Sequence, residues 1–290
     1  MTPPSARALA LARRVAPGEA FYDYTGLCYE PVNDPTGKWS SSFVLEGVLD
    51  AAGAGAMKGI VRSLGGAIGV DATVWGAKRT REGYSWELYF YDYTRQDPRF
   101  CVSRILDVIG RSGPSGLPPL VDGCPRRHFM FSVDVAPTTG EEGVHVYFYD
   151  VGERMTGLSY RFDASGWVLE NHYAFYDPIT DGALLREKVA DSPRLGPDVP
   201  IERVLVADLL DCRRVCVANK PGCDGVYFSG VTVAQFIRFL ETFGHDPAFV
   251  AVVRKNEPAL DHMLYDVAFD YRTTPGGDLE IIKTGFYGTA

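Results

Sequence analysis

The sequence predicts an α+β protein whose roughly ten antiparallel strands form helix-separated hairpins and close into a barrel with the helices outside. Three observations support this prediction. Five pairs of apolar, aromatic segments flank polar or glycine-containing turns, which is the pattern of β-hairpins. Helical segments separate most of the pairs. The tripeptide Phe-Tyr-Asp closes strand-like segments at residues 90–92, 148–150 and 175–177, and an altered copy stands at 285–288; a further copy occurs at 21–23.

The N-terminal part, residues 1–66, is predicted to be a helical segment that packs on the sheet within a single domain of residues 1–290. Residues 5–15 have the pattern of a short helix. Ser41 or Ser42 can cap a long helix at residues 43–64, which Gly65 and Gly66 would end.

Residues 67–290 carry the hairpins and the remaining helices. The predicted strand pairs are 70–78 with 84–93, 128–135 with 144–150, 158–162 with 167–176, 204–217 with 226–228, and 263–271 with 279–287. Helices are predicted at 100–109, 183–189, 233–243 and 247–255, and none fits between the second and third hairpins. This order favours antiparallel pairing with helices packed outside. Closure into a barrel would remove the exposed edge strands.

Composition and charge narrow the possible partners. The chain of 290 residues is 46% hydrophobic and carries a net charge of -8. An acidic protein of this kind is a poor non-specific nucleic-acid binder, because the phosphate backbone requires a basic surface. Charged residues interrupt the apolar stretch at 43–70, so no transmembrane helix and no membrane partner are predicted. Six scattered cysteines and the lack of a signal-peptide pattern predict a cytoplasmic protein with reduced thiols.

The alternation of side chains along the strands predicts what the sheet encloses. In the strand at 84–93, one face carries Trp86, Leu88 and Phe90, and the other carries Glu87, Tyr89, Tyr91 and Tyr93. The strand at 144–150 repeats the split, with His145, Tyr147 and Tyr149 on its second face. A face of tyrosines with an occasional Glu or His fits a semi-polar chamber inside a barrel. The alternative is a tyrosine face buried against another layer or at a dimer interface.

Several basic residues lie within or at the end of apolar runs, namely Lys78, Arg161, Arg213, Arg214 and Lys283. A lone lysine in a strand usually faces solvent. Several cations that point into one barrel would instead form a site for a phosphorylated ligand.

Helix-separated strand pairs, a tyrosine-lined face and basic residues within strands together resemble the ABBA-type aromatic prenyltransferases, whose fold is also called the PT barrel. The resemblance is architectural and covers roughly residues 70–290; the missing helices between hairpins two and three depart from it. It implies an enzyme of secondary metabolism that transfers a prenyl group from an allylic diphosphate to an aromatic or peptide acceptor. Cations must stabilise the departing diphosphate, and aromatic faces must shield the allylic cation from water.

The resemblance also implies roles for particular residues. Lys78, Arg161, Arg214 and Lys283 would bind the diphosphate, and Glu87 would take the proton of the acceptor. The residues that would shield the cation and bind substrate are Tyr89, Tyr91, Tyr147, Tyr149, Tyr227 and Tyr287. An Asp-rich metal motif is absent from the sequence, so no metal ligands are predicted, and magnesium is an optional companion of the diphosphate.

Two other functions remain open at this stage. The same chamber could belong to a non-catalytic protein that binds small molecules or other proteins, or to an α+β enzyme of unrelated chemistry, such as a cyclase or isomerase. Cys212, Cys216 and Cys223 lack a fourth ligand and are interpreted as buried thiols rather than a zinc site. Asp266 and Asp270 share one face of their predicted strand and could form a proton-handling or cation site, but they are interpreted as turn-capping or solvent-facing residues.

Overall fold

The structure is a computed structural model that describes residues 10–19, 31–92, 97–110, 128–135, 143–151, 155–163 and 166–290. Ten strands form one closed antiparallel barrel, which confirms the predicted fold class. Each strand pairs with its neighbours in sequence, and β10 pairs with β1. The strands are β1 Val74–Thr80, β2 Gly83–Tyr91, β3 Met130–Val135, β4 Val144–Val151, β5 Met155–Asp163, β6 Gly166–Tyr176, β7 Arg214–Asn219, β8 Asp224–Thr232, β9 Leu264–Thr273 and β10 Leu279–Thr289.

The described ranges contain six α-helices, which pack on the outside of the barrel. They are α1 Ser42–Ala51, α2 Gly55–Ile68, α3 Val102–Val108, α4 Gly182–Ala190, α5 Val233–Thr242 and α6 Pro247–Lys255. The main hydrophobic core lies between these helices and the outer faces of the strands. Within it, Phe236 of α5 packs against Phe286 of β10 and Tyr265 of β9. None of the helices in these ranges is long and apolar enough to cross a membrane.

Three predicted elements differ in the structure. The helix predicted at 43–64 is two helices, because Gly53 adopts a φ of 64° that ends α1, and α2 then continues through Gly65 and Gly66. Residues 10–15 of the helix predicted at 5–15 are not helical, and Arg14 instead forms a β-bridge with Trp39. Residues 5–9 lie outside the described ranges.

The strand predicted at 204–217 begins only at Arg214. Two short 3-10 turns, Ile201–Arg203 and Ala207–Leu209, come before it. Val204 and Leu205 are nevertheless at most 1% exposed. The apolar run therefore correctly indicated a buried segment, but an apolar run alone does not distinguish a strand from a buried irregular segment.

The two faces of the strands follow the predicted alternation. Trp86, Leu88 and Phe90 belong to the core beneath the helices, whereas Glu87, Tyr89 and Tyr91 face the barrel interior. In β4, Val144 and Val146 lie in the core, and His145, Tyr147 and Tyr149 line the interior. The interior is thus the predicted semi-polar, tyrosine-rich chamber.

Interior glycines make room for the large side chains of neighbouring strands. A Cβ atom built on Gly76 of β1 would lie 2.8 Å from Cε1 of Tyr287 and 3.2 Å from Cε2 of Tyr89. Tyr287 and Tyr89 come from the two strands that flank β1. Because protein interiors are closely packed, an added methyl group there would have to displace an aromatic ring.

We expect Gly76→Ala to lower the free energy of unfolding by about 1–3 kcal/mol, the usual cost of overpacking a core. Chemical denaturation monitored by circular dichroism measures this change. Gly66→Ala is the control, because Gly66 is exposed in α2 and a Cβ atom built on it would meet no atom within 4 Å beyond its own helix backbone. The control should be neutral or stabilising, since alanine favours a helix more than glycine does. Equal stability of the two variants would contradict the proposed packing.

Candidate functional site

The barrel encloses a cavity of about 610 Å³. All eleven residues to which the sequence analysis assigned roles line this cavity, as follows: Lys78, Glu87, Tyr89, Tyr91, Tyr147, Tyr149, Arg161, Arg214, Tyr227, Lys283 and Tyr287. A cavity of this size is in the range of small-molecule sites. The five hairpins all turn at the same end of the barrel, which we call the turn end.

Six charged side chains form a continuous chain of alternating sign along the interior of β1–β6, toward the turn end. We call this set, Glu87, Lys78, Asp134, His145, Glu170 and Arg161, the ion-pair chain. Lys78 Nζ pairs with Glu87 and lies 3.5 Å from Asp134 Oδ1. His145 lies between two carboxylates, with its Nε2 atom 2.7 Å from Asp134 Oδ2 and its Nδ1 atom 2.6 Å from Glu170 Oε2. Arg161 Nε donates to Glu170 Oε1 at 3.1 Å. The register brings these partners together: Glu87 faces Asp134, and His145 faces Arg161, across neighbouring strands.

Glu87 is almost fully buried and is held by four donors. Its carboxylate pairs with Lys78 and accepts hydrogen bonds from Tyr89 OH at 2.5 Å, Tyr147 OH at 3.0 Å and the hydroxyl of Ser132. Burial alone would raise the pKa of Glu87, but the charges of Lys78 and His145 and the hydrogen bonds hold it well below its ordinary value. Glu87 is therefore ionised and only weakly basic.

His145 connects two carboxylates, one through each ring nitrogen. Burial lowers its pKa, but the hydrogen bonds to Asp134 and Glu170 and the nearby charge of Glu87 outweigh burial and raise it to about 10. Both nitrogens donate in this arrangement, which requires the imidazolium form. With His145 protonated, the ion-pair chain holds three positive and three negative charges.

Glu87, Asp134 and His145 are close enough to surround a metal ion, since their ligand atoms lie within 4.8 Å of one another. Lys78 contacts both carboxylates, however, and His145 uses both nitrogens to bind carboxylates. A metal ion would have to displace the ammonium group and bind a deprotonated imidazole. The arrangement therefore favours Lys78 as the cation of this set.

A second charged group lies beside the ion-pair chain. Lys220, which follows β7, and Lys283 of β10 share the carboxylate of Asp270 on β9, and we call the two lysines the lysine pair. Lys220 Nζ lies 2.7 Å from Asp270 Oδ1, and Lys283 Nζ lies 2.9 Å from Oδ2. The Asp270 side chain is only 6% exposed. Burial would raise the pKa of Asp270, but the two ammonium groups lower it. The group carries one positive charge in excess when both lysines are protonated.

Five tyrosines form a closed ring across the middle of the cavity, which we call the tyrosine ring. Each even-numbered strand supplies one of them. The ring centroids are 6.3 Å apart for Tyr89–Tyr147, 6.3 Å for Tyr147–Tyr173, 6.4 Å for Tyr173–Tyr227, 6.3 Å for Tyr227–Tyr287 and 5.8 Å for Tyr287–Tyr89. These separations are those of interacting aromatic pairs. The cavity therefore has a continuous aromatic belt.

The hydroxyl groups of the tyrosine ring bond to polar side chains of the cavity. Tyr89 and Tyr147 donate to Glu87, and Asn171 Nδ2 donates to Tyr173 OH at 2.8 Å. Lys220 Nζ donates to Tyr227 OH at 3.5 Å. Burial raises the pKa of Tyr173 and Tyr227 well above the ordinary value, so these phenols stay neutral.

Arg214 lies apart from the other predicted cations. It is the first residue of β7, whereas Lys220 follows the last residue at the turn end. Their separation of six residues corresponds to about 20 Å of extended chain. Its Nη1 atom lies 3.9 Å from Met155 Sδ, and no carboxylate in the described ranges forms an ion pair with it. The structure thus brings Lys78, Arg161 and Lys283 into one layer, whereas Arg214 lies at the opposite end, where Tyr149 stacks on Phe129 at 3.7 Å.

Several residues that line the cavity received no role in the sequence-based prediction, namely Asp134, Glu170, Tyr173, Lys220 and Asp270. His145 was predicted to face the chamber but likewise received no role. The interpretation of Asp266 and Asp270 as turn-capping or solvent-facing was wrong, because both are buried and line the cavity. Their alternation in β9 was the available signal. Tyr173 lies two residues before the tripeptide copy at 175–177, so it shares the strand face of Phe175 rather than that of Tyr176. There Phe175 faces the cavity and Tyr176 lies in the outer core, the reverse of the copies at 90–92 and 285–288. The copy at 21–23 lies outside the described ranges.

The four cysteines described by the structure are unpaired thiols. Cys216 is buried as expected, whereas Cys212 and Cys223 are partly exposed. Comparison with known proteins adds no assignment: no protein-family model matches the chain, and the search of curated proteins finds no match. We therefore infer the function from the geometry of the cavity.

The raised pKa of His145 predicts how stability depends on pH. Because the pKa rises from 6.5 to about 10 on folding, the native state binds the extra proton. Its stabilisation is complete below about pH 6.5 and is lost as pH rises toward 10. We expect His145→Gln to remove the contribution of His145 to the decline in unfolding free energy with rising pH. That contribution has a slope of up to about 1.4 kcal/mol per pH unit.

Urea denaturation of the wild type and the variant at pH 6, 7, 8 and 9 measures the difference in slope. His172→Gln is the matched control, since His172 is an exposed histidine on β6 outside the ion-pair chain. Parallel profiles for wild type and His145→Gln would show that His145 is not protonated in the folded protein.

Proposed function

We propose that the barrel transfers a prenyl group from an allylic diphosphate to an aromatic or peptide acceptor inside the cavity. The observation that carries this proposal is the position of the lysine pair beside a closed ring of five tyrosines within one cavity. Such a substrate has an anionic end and an apolar, cation-forming end. The cavity offers a matching surface for each.

The lysine pair supports binding of the diphosphate. Among the residues that the structure describes, Lys220 and Lys283 together have only Asp270 as a carboxylate partner. Lys78 of β1 lies near them. It pairs with Gly285 of β10, which is two residues from Lys283 and on the same face of that strand. A diphosphate at this position would meet the excess positive charge, and the ammonium groups would stabilise the charge that develops on the leaving oxygen.

The tyrosine ring supports formation of the allylic cation. Aromatic faces attract cations, and exclusion of water protects a carbocation from hydrolysis. The burial that raises the pKa of the ring tyrosines keeps them neutral, so they are poor nucleophiles toward the cation.

In the proposed reaction the carbon–oxygen bond of the allylic diphosphate breaks, and the allylic carbon bonds to the acceptor. The proton displaced from the acceptor leaves with the diphosphate. Glu87 is a weak candidate for the base, because four donors and a lowered pKa reduce its affinity for a proton. We assign Glu87 instead to holding Lys78, Tyr89 and Tyr147 in position. Magnesium is optional as a companion of the diphosphate.

A non-catalytic ligand-binding barrel is the second candidate function. It is favoured by the ion-pair chain, in which each of Lys78, His145 and Arg161 already contacts a carboxylate of the protein. A network that is neutral without substrate needs no phosphorylated ligand. In this alternative, the chain holds the barrel closed around an aromatic ligand.

Thermal and chemical stability with candidate ligands tests the proposal. Geranyl and dimethylallyl diphosphate should stabilise the protein, by about 2.7 kcal/mol at a hundredfold excess over Kd. Inorganic pyrophosphate should stabilise it less, because it lacks the hydrocarbon that contacts the tyrosine ring. Lys220→Met should abolish most of the effect, whereas Lys255→Met, at an exposed lysine of α6, should not.

Release of pyrophosphate in the presence of a panel of phenols, indoles and tyrosine-containing peptides separates the two functions. Release that depends on the acceptor supports prenyl transfer. Stabilisation by the diphosphate esters without release with any acceptor supports the ligand-binding alternative. No stabilisation by any of the three diphosphates would refute the diphosphate site.

A further inference from the structure

The lysine pair has a chemical consequence that does not depend on prenyl transfer. Two ammonium groups share one buried carboxylate, with Nζ–oxygen distances of 2.7 and 2.9 Å. Lys78 adds a third positive charge nearby, although Glu87 and Asp134 compensate it. Like charges in a desolvated site disfavour the protonated form, and the loss of one proton would leave a balanced ion pair.

Lys283 is the lysine from which that proton would be lost. Burial and the charge of Lys220 lower its pKa, whereas Asp270 acts in the opposite direction. The pKa of Lys78 is instead raised, because the pull of Glu87 and Asp134 exceeds the effect of burial. Lys283 is also the more accessible member of the lysine pair, at 29% exposure of its side chain against 12% for Lys220.

We propose that Lys283 is a reactive amine that condenses with aldehydes or ketones held in the barrel cavity. The free amine of Lys283 attacks the carbonyl carbon to form a carbinolamine, and loss of water then gives an imine. The proton that the attacking nitrogen releases passes to the departing hydroxyl group, which leaves as water. The amine and the carbonyl compound yield the imine and water, so no oxidant or reductant is required.

The lining of the cavity indicates which carbonyl compounds would bind. Tyr287 lies on the same strand as Lys283, and Tyr227 contacts Lys220. Both belong to the tyrosine ring, which offers aromatic faces for a planar ligand. The structure therefore favours aromatic aldehydes and ketones over small hydrophilic sugars.

The test is reductive trapping in the intact protein. The wild type is incubated with benzaldehyde at pH 7.5, reduced with sodium cyanoborohydride and digested, and the modified lysines are mapped by mass spectrometry. We expect labelling of Lys283 about tenfold or more faster than that of Lys255, the exposed lysine of α6, because a larger fraction of Lys283 is the free amine. Labelling of Lys283 at or below the rate of Lys255 would overturn the proposal.

A variant of the neighbouring lysine distinguishes reactivity from access. Lys220→Met leaves Asp270 to Lys283 alone, so Lys283 should stay protonated and its labelling should fall about tenfold. If labelling depended only on access, the smaller methionine side chain would leave it unchanged or faster, and the proposal would fail. Lys255→Met is the control and should not affect Lys283. Because the wild-type map needs no variant, the proposal remains testable if Lys220→Met does not fold.

Added pyrophosphate separates this proposal from the proposed function. Protection of Lys283 from labelling by pyrophosphate supports both the reactive amine and a diphosphate site at the lysine pair. Rapid labelling without protection supports the amine and counts against that diphosphate site. Slow labelling of Lys283 together with stabilisation by prenyl diphosphates refutes the amine and leaves the proposed function standing.

Discussion

A buried carboxylate stays ionised only when a cation and hydrogen-bond donors replace the water that it loses, and Glu87 meets this requirement through Lys78. The pair joins β1 to β2 inside the barrel. The Glu87 carboxylate also accepts hydrogen bonds from Tyr89 and Tyr147, which holds two members of the tyrosine ring in position. Lys78 also reaches Asp134, the first link to His145 and the rest of the ion-pair chain. The position of the aromatic belt and the neutrality of the chain both depend on this one interaction.

The lysine pair differs from the ion-pair chain in its balance of charge. Along β1–β6 each cation has its own carboxylate, so the charges there stabilise the barrel without a ligand. Near β7–β10, Lys220 and Lys283 divide Asp270 between them. An anionic ligand, or the loss of a proton from one lysine, would relieve the repulsion between the two ammonium groups. The barrel thus separates a half whose charges balance from a half that carries one positive charge in excess when both lysines are protonated.

The sequence was sufficient to predict the hairpins, the closed barrel and the residues that face its interior, because side chains alternate in strands and burial selects the apolar face. It could not predict which cations meet which carboxylates. Those partners depend on the exact register of paired strands, as for Lys283 and Asp270, where a register shift between Ile281 and Lys283 sets the pairing. Lys220 lies in a turn, where alternation gives no direction. Arg214 was grouped with the other cations because alternation places a side chain on a face but does not give its depth along the barrel.

The coupling between Lys78 and Glu87 is the most direct measure of this account. A double-mutant cycle with Lys78→Met, Glu87→Gln and both together should show that a single substitution costs about 3–5 kcal/mol of unfolding free energy, and that the double variant loses much less than the sum. The exposed pair Arg254–Glu241 on α6 and α5 is the matched control and should couple by at most about 1 kcal/mol. A coupling energy for Lys78–Glu87 as small as that of the control would contradict the central role of the pair.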